Sequence, residues 1–220
     1  MGRLIAFDLD GTLIDSRRDL SDATNQLIVE RGGTPLPEQA IAKMIGEGAK
    51  VLVDRALSAA GLEDRDGALA RFLALYDERL LNHTRAYDGI AAAVAAARQH
   101  GRVAVLTNKP LAPSERILDG LGLRSLFDDV VGGDGAWPRK PDPSSLQELM
   151  RRASATPATS LLVGDSAIDH ETAMRASVRC CMASYGFGFH TVPPQRLTGS
   201  EWIVSAPSEL IDVFAEFTAA

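Results

Sequence analysis

The apolar residues of this chain follow two kinds of pattern. Short runs at residues 4–7, 103–106 and 160–163, apolar except for Ser160, are typical of strands buried on both faces of a parallel sheet. Elsewhere apolar residues recur every three or four positions, as they do in amphipathic helices. From residue 87 onward the two patterns alternate, which predicts an α/β fold with a Rossmann-like, three-layer parallel sheet covered by helices on both faces.

The stretch from residue 17 to residue 81 shows only the helical pattern. Apolar positions with helical spacing form three stripes, within residues 19–30, 51–60 and 69–80. No apolar run in this stretch indicates a strand. We therefore expect an α-helical domain inserted near the start of an α/β domain.

Polar clusters follow three of the predicted strands directly. They begin at Asp8, Thr107 and Asp165. Ligands of parallel α/β sheets bind outside the carboxyl ends of the strands, so three distant segments are expected to meet in one crevice.

The first cluster has the composition of a metal and phosphate site. Asp8 and Asp10 are close enough to repel each other unless a cation lies between them, and their hard oxygen atoms suit Mg²⁺. Gly11, followed by Thr12, allows a tight turn that presents backbone N–H groups to an anion. A solvated turn is the alternative interpretation of the same residues.

Composition and charge exclude other classes of protein. The formal net charge of −6 does not attract nucleic acid, and no window approaches the roughly 20 apolar residues that a membrane span requires. The two cysteines are adjacent and form no disulfide framework, which favours a reducing compartment. No signal peptide is apparent, so the expected location is cytoplasmic.

Residues 7–13 resemble the first motif of the haloacid dehalogenase-like hydrolase superfamily. Thr107-Asn108, Lys140 and residues 164–169 match its second, third and fourth motifs in the same order. The resemblance implies a catalytic core at 1–15 and 86–220, a helical cap domain at 16–85, and a phosphatase that forms an aspartyl-phosphate. Dehalogenases of the superfamily lack the second aspartate, so the presence of Asp10 favours phosphate esters over halides.

The resemblance also implies roles for the motif residues. Asp8 is the expected nucleophile, and Asp10 is the expected acid and base. Mg²⁺, the expected cofactor, is assigned to the Asp8 carboxylate, the Asp10 carbonyl and Asp165. Asp169 is expected to bind the metal directly or through water, or to cap the following helix.

The remaining motif residues are expected to hold the phosphoryl group. Thr107 and the Asn108 N–H are assigned to the phosphoryl oxygens, together with Gly11 and Thr12. Lys140 is expected to place a positive charge on the transferred group and to restrain the nucleophile.

The branch of the superfamily is indicated by residues 45–57, which resemble phosphoglycolate phosphatases. Gly46, Gly48 and Lys50 are therefore predicted to contact the substrate. Glu47 stands where an asparagine is common, and an acid facing the site would oppose a carboxylate substrate.

The expected partner is a small-molecule phosphate ester, with phosphoglycolate as the best single candidate. The alternatives are a sugar phosphate, including N-acetylmuramic acid 6-phosphate, or a phosphate-binding module without catalysis. A monomer and a homodimer are both compatible with the sequence.

Overall fold

The computed structural model describes residues 2–219. Its strands are β1 (Leu4–Phe7), β2 (Ile14–Asp15), β3 (Arg85–Ala86), β4 (Arg102–Leu106), β5 (Asp129–Val131), β6 (Ser160–Gly164), β7 (Arg179–Ala183) and β8 (Trp202–Val204). Its α-helices are α1 (Arg17–Glu30), α2 (Glu38–Ala42), α3 (Ala49–Ala59), α4 (Ala68–Asp77), α5 (Ile90–Ala97), α6 (Leu111–Gly120), α7 (Ser144–Arg152), α8 (Ala167–Arg175) and α9 (Leu210–Ala219).

Six strands form one parallel sheet in the order β5–β4–β1–β6–β7–β8. β1 lies inside the sheet, and its last residue, Phe7, is opposite Val105 of β4 and Val163 of β6. The three strands end at nearly the same level, so the chain segments that leave them lie side by side. The parallel sheet predicted from the apolar runs is confirmed.

Both faces of the sheet are buried under helices. Ile5 and Phe7 belong to the core shared with α5 and α9, whereas Leu4 and Ala6 belong to the core shared with α7 and α8. The alternation follows from the two-residue period of a strand. The adjacent cysteines behave in the same way, because Cys180 and Cys181 are buried, unpaired and in opposite cores.

Helices α1 to α4 lie between β2 and β3, a two-stranded antiparallel ribbon in which Ile14 pairs with Ala86. Three of these helices match the predicted stripes. The exception is α2, which has five residues and buries only Ile41, too few to show a helical period. Among residues 2–219, no helix is both long and apolar enough to cross a bilayer. The assignment of residues 16–85 to a separate domain stays a prediction.

Other short elements lie outside the sequence prediction, among them the two-residue strands β2 and β3. β8 was not predicted because it is a three-residue edge strand whose central residue, Ile203, is 51% exposed. Helix α6 begins at Leu111, two residues before Pro113. Pro113 is tolerated there because residues in the first turn of a helix need no backbone N–H partner.

The carboxylate of Asp19 connects the start and the end of the helical segment that contains α1 to α4. Asp19 lies in the first turn of α1 and is fully buried. It accepts hydrogen bonds from the backbone N–H groups of His83 (2.9 Å) and Thr84 (2.7 Å), and from the Thr84 hydroxyl (2.8 Å). The beginning of α1 is therefore fixed to the residues just before β3, beside the β2–β3 ribbon.

We predict that Asp19→Ala lowers the free energy of unfolding by at least about 2 kcal/mol, because it leaves buried N–H groups without an acceptor. Equilibrium urea unfolding measures this loss. Asp22→Ala is the control: Asp22 lies on the same helix but is half-exposed, with Arg18 at 4.0 Å. It is expected to change stability by less than about 0.5 kcal/mol. Equal losses in the two variants would contradict the role given to Asp19.

Candidate active site

Three buried carboxylates meet at the carboxyl ends of β1 and β6. We call Asp8, Asp165 and Asp169 the acidic cluster. Asp8 follows β1, Asp165 follows β6, and Asp169 lies in the first turn of α8. Their carboxylate oxygens lie within 4.8 Å of one another. The structure therefore brings together three of the four residues that the sequence assigned to a metal.

Lys140 is the cation that faces the acidic cluster. Its ammonium nitrogen lies 2.8 Å from Asp8 Oδ1 and 2.6 Å from Asp169 Oδ1. Burial by itself lowers the pKa of Lys140, but the Asp169 and Asp8 carboxylates outweigh that effect and raise it. Lys140 is therefore an ammonium in contact with Asp8, the residue that the sequence predicted it to restrain.

One ammonium does not balance three buried carboxylates. Burial, followed by repulsion from Asp169, raises the pKa of Asp8 to about 7 despite the attraction of Lys140. Burial and repulsion from Asp169 and Asp8 raise the pKa of Asp165 well above its usual range. Closely spaced oxygen ligands that repel each other are suited to a hard divalent cation, so these residues fit Mg²⁺.

Asp169 also organises the start of α8. Its Oδ2 accepts hydrogen bonds from the Ser166 hydroxyl (2.6 Å) and the Ser166 N–H (3.1 Å), so the two residues form a capping box. Ser166 is the N-cap and Asp169 is the third residue of the helix, so the alternative interpretation of Asp169 as the cap itself is wrong. Asp169 Oδ1 remains directed at Lys140.

Gly11 serves close packing in this structure. Its φ is +93°, and a Cβ atom there would lie 2.0 Å from Asp165 Oδ2. Its N–H donates to the Ile14 carbonyl at 2.9 Å, so the sequence expectation that this N–H faces an anion is not met. The neighbouring Thr12 is fully buried, and its hydroxyl has no partner within residues 2–219.

Asp10 is held by residues that the sequence prediction did not include. Its carboxylate accepts hydrogen bonds from the Lys109 ammonium, at 3.0 Å to Oδ1 and 2.9 Å to Oδ2, and from the Ser16 hydroxyl at 2.5 Å. The signal for Lys109 was its place directly after Thr107-Asn108, at the end of a buried strand. Its neighbours Thr107 and Asn108 were predicted site residues, whereas Lys109 was not.

The residues after β4 connect the sheet with the helical segment. Thr107 Oγ1 accepts the Lys109 N–H at 3.2 Å. The Asn108 amide nitrogen donates to the Gly46 carbonyl at 3.1 Å and to the Lys140 carbonyl at 3.0 Å. Asn108 therefore links a loop of the helical segment to Lys140, which contacts Asp8.

A cavity of about 570 Å³, part of it open to solvent, lies between the sheet and the helical segment. The lining on the sheet side includes Asp8, Asp10, Thr107, Asn108, Lys109, Pro110 and Pro113. The lining from the helical segment consists of Leu20, Ile45, Gly46, Gly48, Ala49, Leu52, Phe72, Leu73 and Tyr76.

The predicted substrate contacts divide into two groups. Gly46 and Gly48 line the cavity with positive φ values, +119° and +92°. The structure does not bring Lys50 to the cavity, because its exposed ammonium pairs with Asp54 on the next turn of α3 at 2.6 Å. Glu47 is also outside the lining and pairs with Arg55 at 2.5 Å.

A second glycine-rich loop closes the acidic cluster from the side of β7. The Gly188 N–H donates to Asp165 Oδ2 at 2.7 Å, and a Cβ atom at Gly186 would lie 2.3 Å from Asp165 Cβ. This loop was not among the predicted site residues. The available signal was a pair of glycines, Gly186 and Gly188, shortly after a buried strand.

Comparison with known proteins agrees with this geometry. Residues 5–183 match the family model of the haloacid dehalogenase-like hydrolases. The chain belongs to this family. It is 42% identical over 196 residues to a phosphoglycolate phosphatase of Rhodospirillum rubrum, covering 85% of this chain and 81% of the relative.

Two further relatives place the chain in the same branch of the family. A phosphoglycolate phosphatase of Pseudomonas putida is 41% identical over 84% of this chain and 70% of its own length. A solved structure described as a predicted phosphoglycolate phosphatase, from Haemophilus somnus, superposes with a TM-score of 0.90 at 29% identity, over 96% of this chain and 97% of that one. The expected enzyme class, a phosphoric monoester hydrolase, is confirmed, as is the expected family.

The raised Asp165 pKa gives a pH-dependent prediction for the protein in chelator. When the pH is above 3.8, the ordinary pKa of an aspartate, Asp165 loses its proton in the unfolded chain but retains it in the folded protein. The free energy of unfolding therefore falls as the pH rises. Asp165→Asn does not titrate. With chelator it is expected to melt above wild type at about pH 8, with a smaller difference at about pH 5.

Thermal unfolding at both pH values measures this difference. Added Mg²⁺ is expected to raise the melting temperature of wild type and to have less effect on the variant. A variant that melts below wild type in chelator at the higher pH would contradict the stated electrostatics.

Proposed function

We propose that this protein is a magnesium-dependent phosphatase that hydrolyses a small phosphomonoester through an aspartyl-phosphate on Asp8. The observation that carries the proposal is the placement of Asp8, which has an ammonium 2.8 Å away and two further carboxylates in the same cluster. A phosphate-binding module has no need of this arrangement. It also has no need of Asp10 beside the nucleophile.

The reaction proceeds in two steps. An Asp8 oxygen attacks the phosphorus, the bond from phosphorus to the ester oxygen breaks, and Asp10 donates a proton to the departing alkoxide. Asp10 then takes a proton from water, which attacks the phosphorus of phospho-Asp8. The bond from phosphorus to Asp8 breaks and releases inorganic phosphate with the regenerated carboxylate.

The acidic cluster would hold Mg²⁺ through Asp8 and Asp165, with the Asp10 carbonyl as a further ligand and Asp169 bound directly or through water. When bound, the ion offsets the repulsion between an anionic nucleophile and an anionic phosphate. Lys140 contributes in the same sense, because it touches Asp8 and lies where the transferred group collects negative charge. Thr107 and the Asn108 N–H orient the phosphoryl oxygens.

Residues 16–85, which we call the cap segment, would close over the leaving group and exclude water. The bond from Asn108 to the Gly46 carbonyl and the cavity lining support this role. The cytoplasmic location and the choice between monomer and homodimer stay predictions.

Phosphoglycolate is the substrate that we propose first, since the relatives at 42% and 41% identity carry the name phosphoglycolate phosphatase. Glu47 pairs with Arg55 and does not line the cavity, so its negative charge does not face the carboxylate of a bound phosphoglycolate. This pairing supports the choice. The lining from the cap segment is nearly all apolar and offers a polyhydroxylated sugar few hydrogen-bond partners. A sugar phosphate is therefore the second candidate.

We expect the purified protein to hydrolyse p-nitrophenyl phosphate in Mg²⁺ and to lose this activity on chelation. Asp8→Asn keeps the shape of the side chain but removes the nucleophile, so kcat is expected to fall by more than about a thousandfold. Release of p-nitrophenol measures both effects. Asp212→Asn, on the exposed face of α9, is the control and is expected to match wild type. Turnover by Asp8→Asn at the wild-type rate would refute the mechanism.

A phosphate-release assay on 2-phosphoglycolate and hexose 6-phosphates tests the substrate. We expect a kcat/KM for 2-phosphoglycolate at least about tenfold above that for the sugar phosphates, because unpaired sugar hydroxyls are costly in an apolar site. The reverse order would favour the second candidate while leaving the phosphatase chemistry intact.

A further inference from the structure

Lys109 is a buried cation that the proposed mechanism does not use. It lies two residues after Thr107, and its side chain is 5% exposed. Its ammonium nitrogen bonds both oxygens of Asp10, at 2.9 and 3.0 Å, whereas Lys140 contacts Asp8 and Asp169. The two lysines therefore serve different carboxylates of the same site.

The backbone of Lys109 is fixed on both sides of its side chain. Its N–H donates to Thr107 Oγ1 at 3.2 Å, and its carbonyl accepts the Gly133 N–H at 2.8 Å. The ammonium is thus directed from a rigid strand end toward Asp10. Taking an ammonium out of water is unfavourable, and the Asp10 carboxylate is the group that compensates for it.

The cap segment covers the same ammonium. Lys109 Nζ lies 4.6 Å from the ring centroid of Tyr76 on α4, within the range of a cation–π contact. Tyr76 is 3% exposed and stacks on Phe72 with an interplanar angle of 6°. A rigid pair of aromatic rings from the cap segment therefore holds Lys109 against Asp10.

Asp10 also accepts a hydrogen bond from a second donor. The Ser16 hydroxyl, at the start of the cap segment, donates to Asp10 Oδ1 at 2.5 Å. The Ser16 hydroxyl and the Lys109 ammonium together fix the orientation of the Asp10 carboxylate. A group that must reach both the ester oxygen and the attacking water needs such a fixed orientation.

We propose that Lys109 is a positioning residue that holds the Asp10 carboxylate for proton transfer, and that Tyr76 of the cap segment keeps the ammonium in place. This inference rests on the proposed function. It concerns most directly the second step, in which Asp10 takes a proton from the water that attacks phospho-Asp8. The position of the cap segment is thereby linked to the acid and base of the reaction.

Lys109→Met tests the inference, because it keeps the length of the side chain and removes the ammonium. With p-nitrophenyl phosphate and Mg²⁺, we expect kcat to fall about ten- to a hundredfold with little change in KM, since only part of the acid–base contribution is lost. Acid-quenched samples are expected to contain more phosphoenzyme than wild type. A merely structural lysine would lower the amount of folded enzyme without trapping phosphoenzyme. A kcat equal to wild type, or a lower kcat without added phosphoenzyme, would overturn the inference.

Two further comparisons separate positioning from folding. Lys109→Arg restores the positive charge and is expected to recover part of the lost kcat. In an Asp10→Asn background, Lys109→Met is expected to have little further effect, because the two residues act as one unit. Independent, multiplicative losses in the double variant would overturn the inference. Lys43→Met, at an exposed lysine of the cap segment, is the matched control.

Variants of Tyr76 test the contact from the cap side. Tyr76→Leu removes the ring above the ammonium, whereas Tyr76→Phe retains it. We expect more trapped phosphoenzyme in Tyr76→Leu than in Tyr76→Phe. Equal amounts of trapped phosphoenzyme in the two variants would overturn the role of the ring. Because both variants keep Lys109, they also test the inference if Lys109→Met does not fold. Wild-type turnover in Mg²⁺ and its loss in Asp8→Asn establish the proposed function separately.

Discussion

The repulsion among three buried carboxylates, with one ammonium between them, is the constraint on which the site depends. Asp8, Asp165 and Asp169 lie within 4.8 Å of one another, and Lys140 touches two of them. This arrangement is unfavourable in the protein alone, as the raised pKa values of Asp8 and Asp165 show. It becomes favourable when further positive charge arrives, which is what a phosphatase needs for binding a divalent ion beside a phosphate.

The rest of the fold makes this arrangement possible. Parallel strands bring β1, β4 and β6 to a common edge, so residues far apart in the chain meet without long loops. Glycines allow the closest approaches, since a side chain at Gly11 or Gly186 would collide with Asp165. The rigid sheet supplies the geometry, and helices on both faces keep water from the base of the site.

The cap segment is joined to the site by polar contacts as well as by packing. Asn108 bonds the Gly46 carbonyl, and Ser16 bonds Asp10. Tyr76 covers the Lys109 ammonium. Each contact links a residue of the cap segment to a residue at or beside the sheet edge. A shift of the cap segment would therefore alter the surroundings of Asp10, whereas the acidic cluster is built almost entirely from the sheet side.

The sequence by itself determined the fold class and predicted which residues gather at the sheet edge. Continuous apolar runs indicate a parallel sheet, and polar residues directly after such runs must lie at its carboxyl edge. Those two facts were sufficient to predict that Asp8, Asp10, Thr107 and Asp165 lie at this edge of the sheet. Only the tertiary structure decided that Lys109 pairs with Asp10 and which cap residues reach the cavity. A lysine side chain is long and flexible, so its partner depends on what packs around it: Lys50 turned to Asp54 on its own helix, and Lys109 turned inward to Asp10 under an aromatic ring.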